Sequence, residues 1–218
     1  MSDNSGLAEI VFYSGGFDTT SYILDRLITQ EVKIQPIVVK VSEIDGTGID
    51  RPSAYQEEIS RQNFYTNFKN RYPELSHNLF DEIVYENETI LDEETIEIGK
   101  YAFKEGIFSR EVNQLLYFHQ VSKDKNFHYP TIGYQKDDKL TEKDIEFFEK
   151  VLKFNIPLVE TTKTQMLEKA IENKYDSFLY ETWSCWFPQP GNIPCGECAL
   201  CEITIVDTKL KFPKGTLI

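Results

Sequence analysis

The chain predicts an α/β fold, a parallel sheet with helices on its faces, ending in a small lobe of different character. Three observations carry this. A β-branched and aromatic run, AEIVFYS (8–14), an amphipathic stretch, DTTSYILDRLI (18–28), and a second apolar run, KIQPIVVKV (33–41), follow one another, and strand, helix and strand within about 35 residues make a βαβ unit. The alternation then continues downstream. Finally, all four cysteines and both tryptophans fall within TWSCWFPQPGNIPCGECALC (182–201), where the sheet-forming pattern stops.

Taken in order, Tyr22, Ile23 and Leu27 give the first helix an apolar face. SEIDGTGIDRPS (42–53) reads as a polar loop and AYQEEISRQNFYTNFKNRY (54–72) as a helix. The acidic run YENETILDEETIEIG (85–99) reads as a solvated connection rather than a metal site. VNQLLYFHQVS (112–122) is predicted helical, FHYPTIGY (127–134) a strand, and LTEKDIEFFEKVLKF (140–154) a helix burying Ile145, Phe148 and Leu152. Thr162 and Gln165 form a capping-box signature for a helix over 163–174. These elements predict one α/β domain over 1–180 and a four-cysteine lobe over 181–218.

The net charge of −13, from 36 acidic against 23 basic residues, disfavours a free nucleic acid partner, whose binding rests on Lys and Arg contacts to phosphates. No segment approaches the roughly 20 apolar residues of a membrane span, and the N-terminus has no basic region followed by an apolar stretch, so no membrane and a cytoplasmic location are expected. His77, His119 and His128 lack ligand spacing.

Cys185, Cys195, Cys198 and Cys201 have nine residues between the first pair and two between each later pair. In a reducing compartment such a set is a metal site before it is a disulfide framework. Zinc on four thiolates fits, with a structural role because protein fills every position. An iron–sulfur cluster or free thiols are the competing readings.

The turn SGGFDTT (14–20) lacks the Gly-Lys-Ser/Thr ending of a Walker A loop. Two glycines between a strand and a helix nevertheless expose backbone N–H groups beside a positive helix end, which would hold a phosphate without lysine. Asp18 would be repelled there unless Mg²⁺ lay between it and the phosphates. A purely structural turn, with Asp18 capping the helix, is the alternative.

Together the two motifs resemble a known family. SGGFDTT is similar to the SGGxDS/T signature of the PP-loop ATP pyrophosphatases, and Trp183-Ser184-Cys185 with Cys195-Gly196-Glu197-Cys198-Ala199-Leu200-Cys201 resembles the zinc motif of their QueC branch, the 7-cyano-7-deazaguanine (preQ0) synthases. PLVETTKTQMLEKAIE (157–172) is similar to the segment preceding that motif. The resemblance implies a doubly wound, mostly parallel sheet of the adenine nucleotide alpha hydrolase kind, with ATP, Mg²⁺ and Zn²⁺ as cofactors. It also implies adenylation of a 7-deazapurine carboxylate followed by attack of ammonia. By position, Ser14, Gly15, Gly16, Asp18, Thr19 and Thr20 would hold the phosphates and Mg²⁺, and Lys163 would offset phosphate charge. Many members of the family are dimers, so the resemblance admits a homodimer.

The middle of the chain departs from the family. The family's Pro-Gly-Arg-Asn segment is represented by Asn113 alone, and its Tyr-Pro-Asp-Cys-Arg segment by an acid, Asp137 or Asp138. No arginine follows Cys201. These segments would contact the acceptor, so Asn113, Asp137 and Asp138 are its candidate ligands. The acceptor, and the choice among nitrile, amide and conjugate as product, stay open at this level. A non-catalytic module binding nucleotide and zinc is the reading from another class.

Overall fold

A computed structural model describes residues 7–40, 52–86, 90–107, 112–198 and 201, with the backbone alone at 112 and 113. The first βαβ unit is present: β1 (Glu9–Phe12), α1 (Phe17–Thr29) and β2 (Ile34–Val39), with the strands parallel and Glu9 opposite Ile34. The polar helix is α2 (Ala54–Arg71), and a short β3 (Ile83–Tyr85) adds to β2, also parallel. The named sheet is three-stranded, in the order β1-β2-β3.

The acidic run is not merely a connection. Its first residue, Tyr85, ends β3, and from Glu93 it forms α3 (Glu93–Lys104), whose N-cap Asp92 accepts a hydrogen bond from the Thr95 N–H. Acids in a first helical turn meet the positive end of the peptide dipoles, so Glu93 and Glu94 favour this helix. Helix α4 (Val112–Asp124) follows. The predicted strand over 127–134 is reduced to parallel bridges, Thr131 with Val11 on one side and with Asn155 on the other. The next predicted helix is α5 (Glu142–Glu146) continued by a π-helical turn over Phe147–Val151. α6 (Lys163–Glu172) begins with the expected capping box of Thr162 and Gln165, and α7 (Asp176–Leu179) ends the helical part.

Side chains alternate across the sheet, so each face has its own core. Val11 and Ile34 pack with Ile23, Leu27, Phe64, Phe68, Met166 and Phe178 from α1, α2, α6 and α7. Phe12, Ile37 and Val39 face Ala102, Leu115, Val121 and Phe148 from α3, α4 and the π turn. Helices therefore cover both faces, as the sequence predicts for a parallel sheet.

One topological fact positions the site. From β1 the chain moves outward through β2 to β3, then returns to the other side of β1 at Thr131, where the Phe12 N–H donates to the Thr131 carbonyl at 2.9 Å. The order reverses at β1, and in open α/β sheets a crevice forms beyond the carboxyl ends of the strands at such a point. The glycine turn lies there.

Candidate active site

The turn leaves β1 at Tyr13 and enters α1 through Gly16, which caps the helix without any side-chain acceptor. The first N–H groups of a helix have no acceptor within it, so this end of α1 opens on the crevice with its donors available. Gly15 has φ of +89°, where a side chain is strained, and an added Cβ would meet the Glu57 carbonyl oxygen at 2.9 Å. Glycine is required because the backbone of α2 packs directly on the turn. Arg61, 4 % exposed, donates to the Ser14 carbonyl at 3.3 Å and pairs with Glu82 at 3.0 Å.

Ser14, Gly16, Asp18 and Thr19 line an open cleft. Gly15 lies behind them. Thr20 is turned inward, its hydroxyl donating to the Gly16 carbonyl at 2.7 Å and meeting the Tyr13 hydroxyl at 3.2 Å. Burial pushes the Tyr13 phenol up, so it stays protonated in this contact.

Lys163 reaches the same cleft from the start of α6. Its ammonium is ion-paired with Asp18 and lies 5.3 Å from the centre of the Phe17 ring. The side chain is only 3 % exposed, against 22 % for Asp18, so the acid is the more accessible partner. The Lys163 N–H donates to Asp137 at 3.0 Å, and the Gln135 N–H donates to Asp138 at 2.8 Å. Asp138 lines the cleft while Asp137 braces the start of α6. The Asn113 side chain lies outside the described residues.

Gly133, at the end of the Thr131 segment, closes the cleft floor. An added Cβ would lie 2.3 Å from the Thr19 Oγ1, so the segment and the first turn of α1 touch with no room for a side chain. Ile132, Tyr134 and Phe118 line the same wall, and Phe118 stacks on Phe12 with ring centres 4.3 Å apart. A second cavity adjoins the first through Ser14, Glu57, Gln114 and Phe118, and has an apolar side formed by Ile37, Val38 and Val39.

The four cysteines converge, their sulfurs lying within 4.8 Å of one another. Sulfurs about 2.3 Å from one zinc ion at tetrahedral corners are separated by about 3.8 Å. The Cys185–Cys195 and Cys195–Cys201 separations are 3.5 and 3.9 Å, so the set fits such an ion. The Cys195 N–H approaches the Cys185 sulfur at 3.2 Å and the Cys198 N–H the Cys195 sulfur at 3.3 Å, contacts that favour thiolates. Burial pushes the Cys185 and Cys201 thiols up; a bound cation would oppose this and hold them ionised.

This cluster builds part of the cleft. Trp183, 4 % exposed, packs on Cys185 and Cys201, its indole N–H donating to the Cys185 carbonyl at 2.6 Å. Trp183, Ser184 and Trp186 all line the cleft. Gly133, Gln114, Glu57 and Phe118 are site residues that pattern reading missed or left without a role. The glycine in the 127–134 run was the available signal for Gly133, whereas the others sit in helices whose polar and aromatic residues gave no reason to choose among them.

Residues 110–205 match the model of the family described as Queuosine biosynthesis protein QueC. The matched stretch, somewhat under half of the chain, holds Lys163, Gly133 and all four cysteines but not the glycine turn. No curated protein matches the chain. Among the described residues, no helix is long and apolar enough to cross a membrane.

Proposed function

We infer that this chain, QueC-like in family, uses ATP to activate the carboxylate of a 7-deazapurine, most simply converting 7-carboxy-7-deazaguanine and ammonia into 7-cyano-7-deazaguanine. The match to this family supports an ATP-dependent, ligase-type enzyme; the substrate is our proposal. The observation that supports it is the meeting in one cleft of the glycine turn, the uncapped end of α1, the Asp18–Lys163 pair and the tryptophans beside the four cysteines.

A carboxylate is a poor electrophile until one of its oxygens becomes a leaving group. Attack of that oxygen on the α-phosphorus of ATP expels pyrophosphate and leaves an acyl-adenylate. Ammonia then adds to the acyl carbon, AMP departs, a proton is lost and the amide forms. A second ATP activates the amide oxygen with release of pyrophosphate, and loss of AMP and of both amide N–H protons gives the nitrile.

In this scheme the N–H groups of Gly16 and the first turn of α1 receive the pyrophosphate oxygens, with partial positive charge added by the helix end. Lys163, held in a poorly solvated position, offsets charge developing on the phosphate. Mg²⁺ would arrive with ATP and take Asp18 as its carboxylate ligand, neutralising the leaving pyrophosphate. The second cavity, with its apolar side, suits the adenine and ribose, which leaves the Gly133–Trp186 end for the acceptor. Zinc on the four thiolates would hold Trp183 and Ser184 against that end.

The acceptor side favours a second reading. Asp137 and Asp138 each accept a backbone N–H, so both serve the local fold and the acceptor contacts differ from those of the family pattern. The same ATP chemistry would then stop at an amide or join the activated carboxylate to another amine.

The test is mass spectrometry of a reaction of zinc-loaded protein with Mg-ATP, 7-carboxy-7-deazaguanine and ammonium, beside an Asp18→Ala protein. Nitrile and AMP from the wild type alone support preQ0 synthesis. AMP with a stalled amide supports the second reading, and no substrate-dependent AMP overturns both.

A further inference from the structure

We propose that Ser60 is a positioning residue that fixes which way the Gly15–Gly16 peptide faces, an inference that rests on the nucleotide reading above. Ser60 lies on α2, 3 % exposed, and its one hydroxyl hydrogen is shared between the Gly15 carbonyl oxygen at 2.9 Å and the Glu181 carbonyl oxygen at 3.1 Å. The Trp183 N–H donates to the same Gly15 oxygen at 3.2 Å. One carbonyl therefore joins three parts of the chain: the glycine turn, α2 and the segment leading to the four cysteines.

The consequence follows from peptide geometry. No peptide among the described residues is cis, and in a trans peptide the carbonyl and the following N–H point in opposite directions. Holding the Gly15 carbonyl toward Ser60 and Trp183 therefore turns the Gly16 N–H toward the cleft, where Gly16 and Ser14 form the wall and the N–H meets Ser14 Oγ at 3.4 Å. A peptide between two glycines has little side-chain hindrance to rotation. If it turned over, a carbonyl would replace the N–H on the wall, presenting partial negative charge to an incoming phosphate.

A small hydroxyl suits this position. The space between the turn and α2 is narrow, since a Cβ at Gly15 would already stand 3.5 Å from that of Ser60 and 3.0 Å from the Arg61 Cγ. Alanine would leave two carbonyls facing each other with the Trp183 N–H as the remaining donor to one of them. The inward peptide would lose its bias, and the effect would fall on phosphate binding rather than on the nucleoside.

Calorimetric binding of Mg-ATP and, separately, of adenosine to zinc-loaded wild-type and Ser60→Ala proteins tests this, with thermal midpoint and zinc content as checks of folding. We expect Ser60→Ala to weaken Mg-ATP about tenfold, the scale of one lost hydrogen bond. Adenosine binding should stay unchanged. Unchanged ATP affinity in Ser60→Ala, or parallel weakening of ATP and adenosine, would each overturn the positioning role. A wild-type protein that binds adenosine but not Mg-ATP would overturn the phosphate-site reading itself, and this inference with it.

Discussion

Lys163 and Asp18 stand 145 positions apart in the chain yet form an ion pair at the mouth of the glycine turn. The pair joins the first helix of the sheet to α6, beside the helix end that would receive a phosphate. Its lysine is the more buried member, so the acid is the one open to exchange partners when a nucleotide enters.

Removing the lysine should therefore harm chemistry more than folding. Lys163→Ala is expected to lower AMP formation by about 10²- to 10³-fold, the range for loss of one preorganised charge-stabilising group. Lys163→Arg should recover little, because a planar fork needs space that the Phe17 ring occupies. Steady-state AMP release checks both, and a Lys163→Ala rate within tenfold of wild type would discount the lysine.

Gly133 gives a packing prediction. Gly133→Ala places a methyl group 2.3 Å from the Thr19 Oγ1, and overpacking of this kind costs about 1–3 kcal/mol. The thermal midpoint should fall by several degrees while Mg-ATP binding weakens, because the displaced residue is in the first turn of α1. Calorimetry measures both; a variant with unchanged ATP affinity would separate this contact from the phosphate site.

The cysteine cluster predicts a metal and its ratio. Wild-type protein should carry about one zinc per chain after dialysis and Cys185→Ser close to none, since three thiolates no longer close the tetrahedron. Atomic emission reads the metal directly, and iron with visible absorption would replace zinc by a cluster.

His119 sets one arm of the pH dependence of stability. It is half-buried, its Nδ1 lies 3.2 Å from the Leu152 carbonyl oxygen, and desolvation lowers its pKa below the ordinary 6.5, with the Leu152 contact, Glu94 and Asp92 opposing and Lys123 acting in the same direction as desolvation. The folded protein thus binds this proton less readily than the unfolded chain. Its contribution is present above pH 6.5 and is lost as pH falls through that value toward the lower folded pKa. The thermal midpoint should drop between about pH 7 and pH 5, and His119→Asn should flatten that part of the curve. Identical slopes for the two proteins would remove His119 from the account.

What the sequence disclosed follows the range of the interactions. The first βαβ unit, the cysteine spacing and the Thr162–Gln165 capping box are local patterns, and each appears at its expected place. The start of α3 was legible too, in Asp92 followed by Glu93 and Glu94, but the density of acids disguised an N-cap as a solvated connection. β3 was not legible, because three residues with Ile83 and Val84 substantially exposed give no alternation. The Thr131 segment shortened to bridges because its pairing depends on Val11 and Asn155, both distant in sequence. Ser60 shows the same limit within the site, since its two carbonyl partners lie 45 and 121 positions away.

Both tryptophans of the chain, Trp183 and Trp186, line the cleft. Indole emission excited near the red edge of absorption is therefore an intrinsic optical probe of this one place, free of background from any other part of the fold. Ligand entry, metal loss and domain-scale unfolding should each perturb it differently. The untagged, wild-type protein carries its own reporter for every titration of the site.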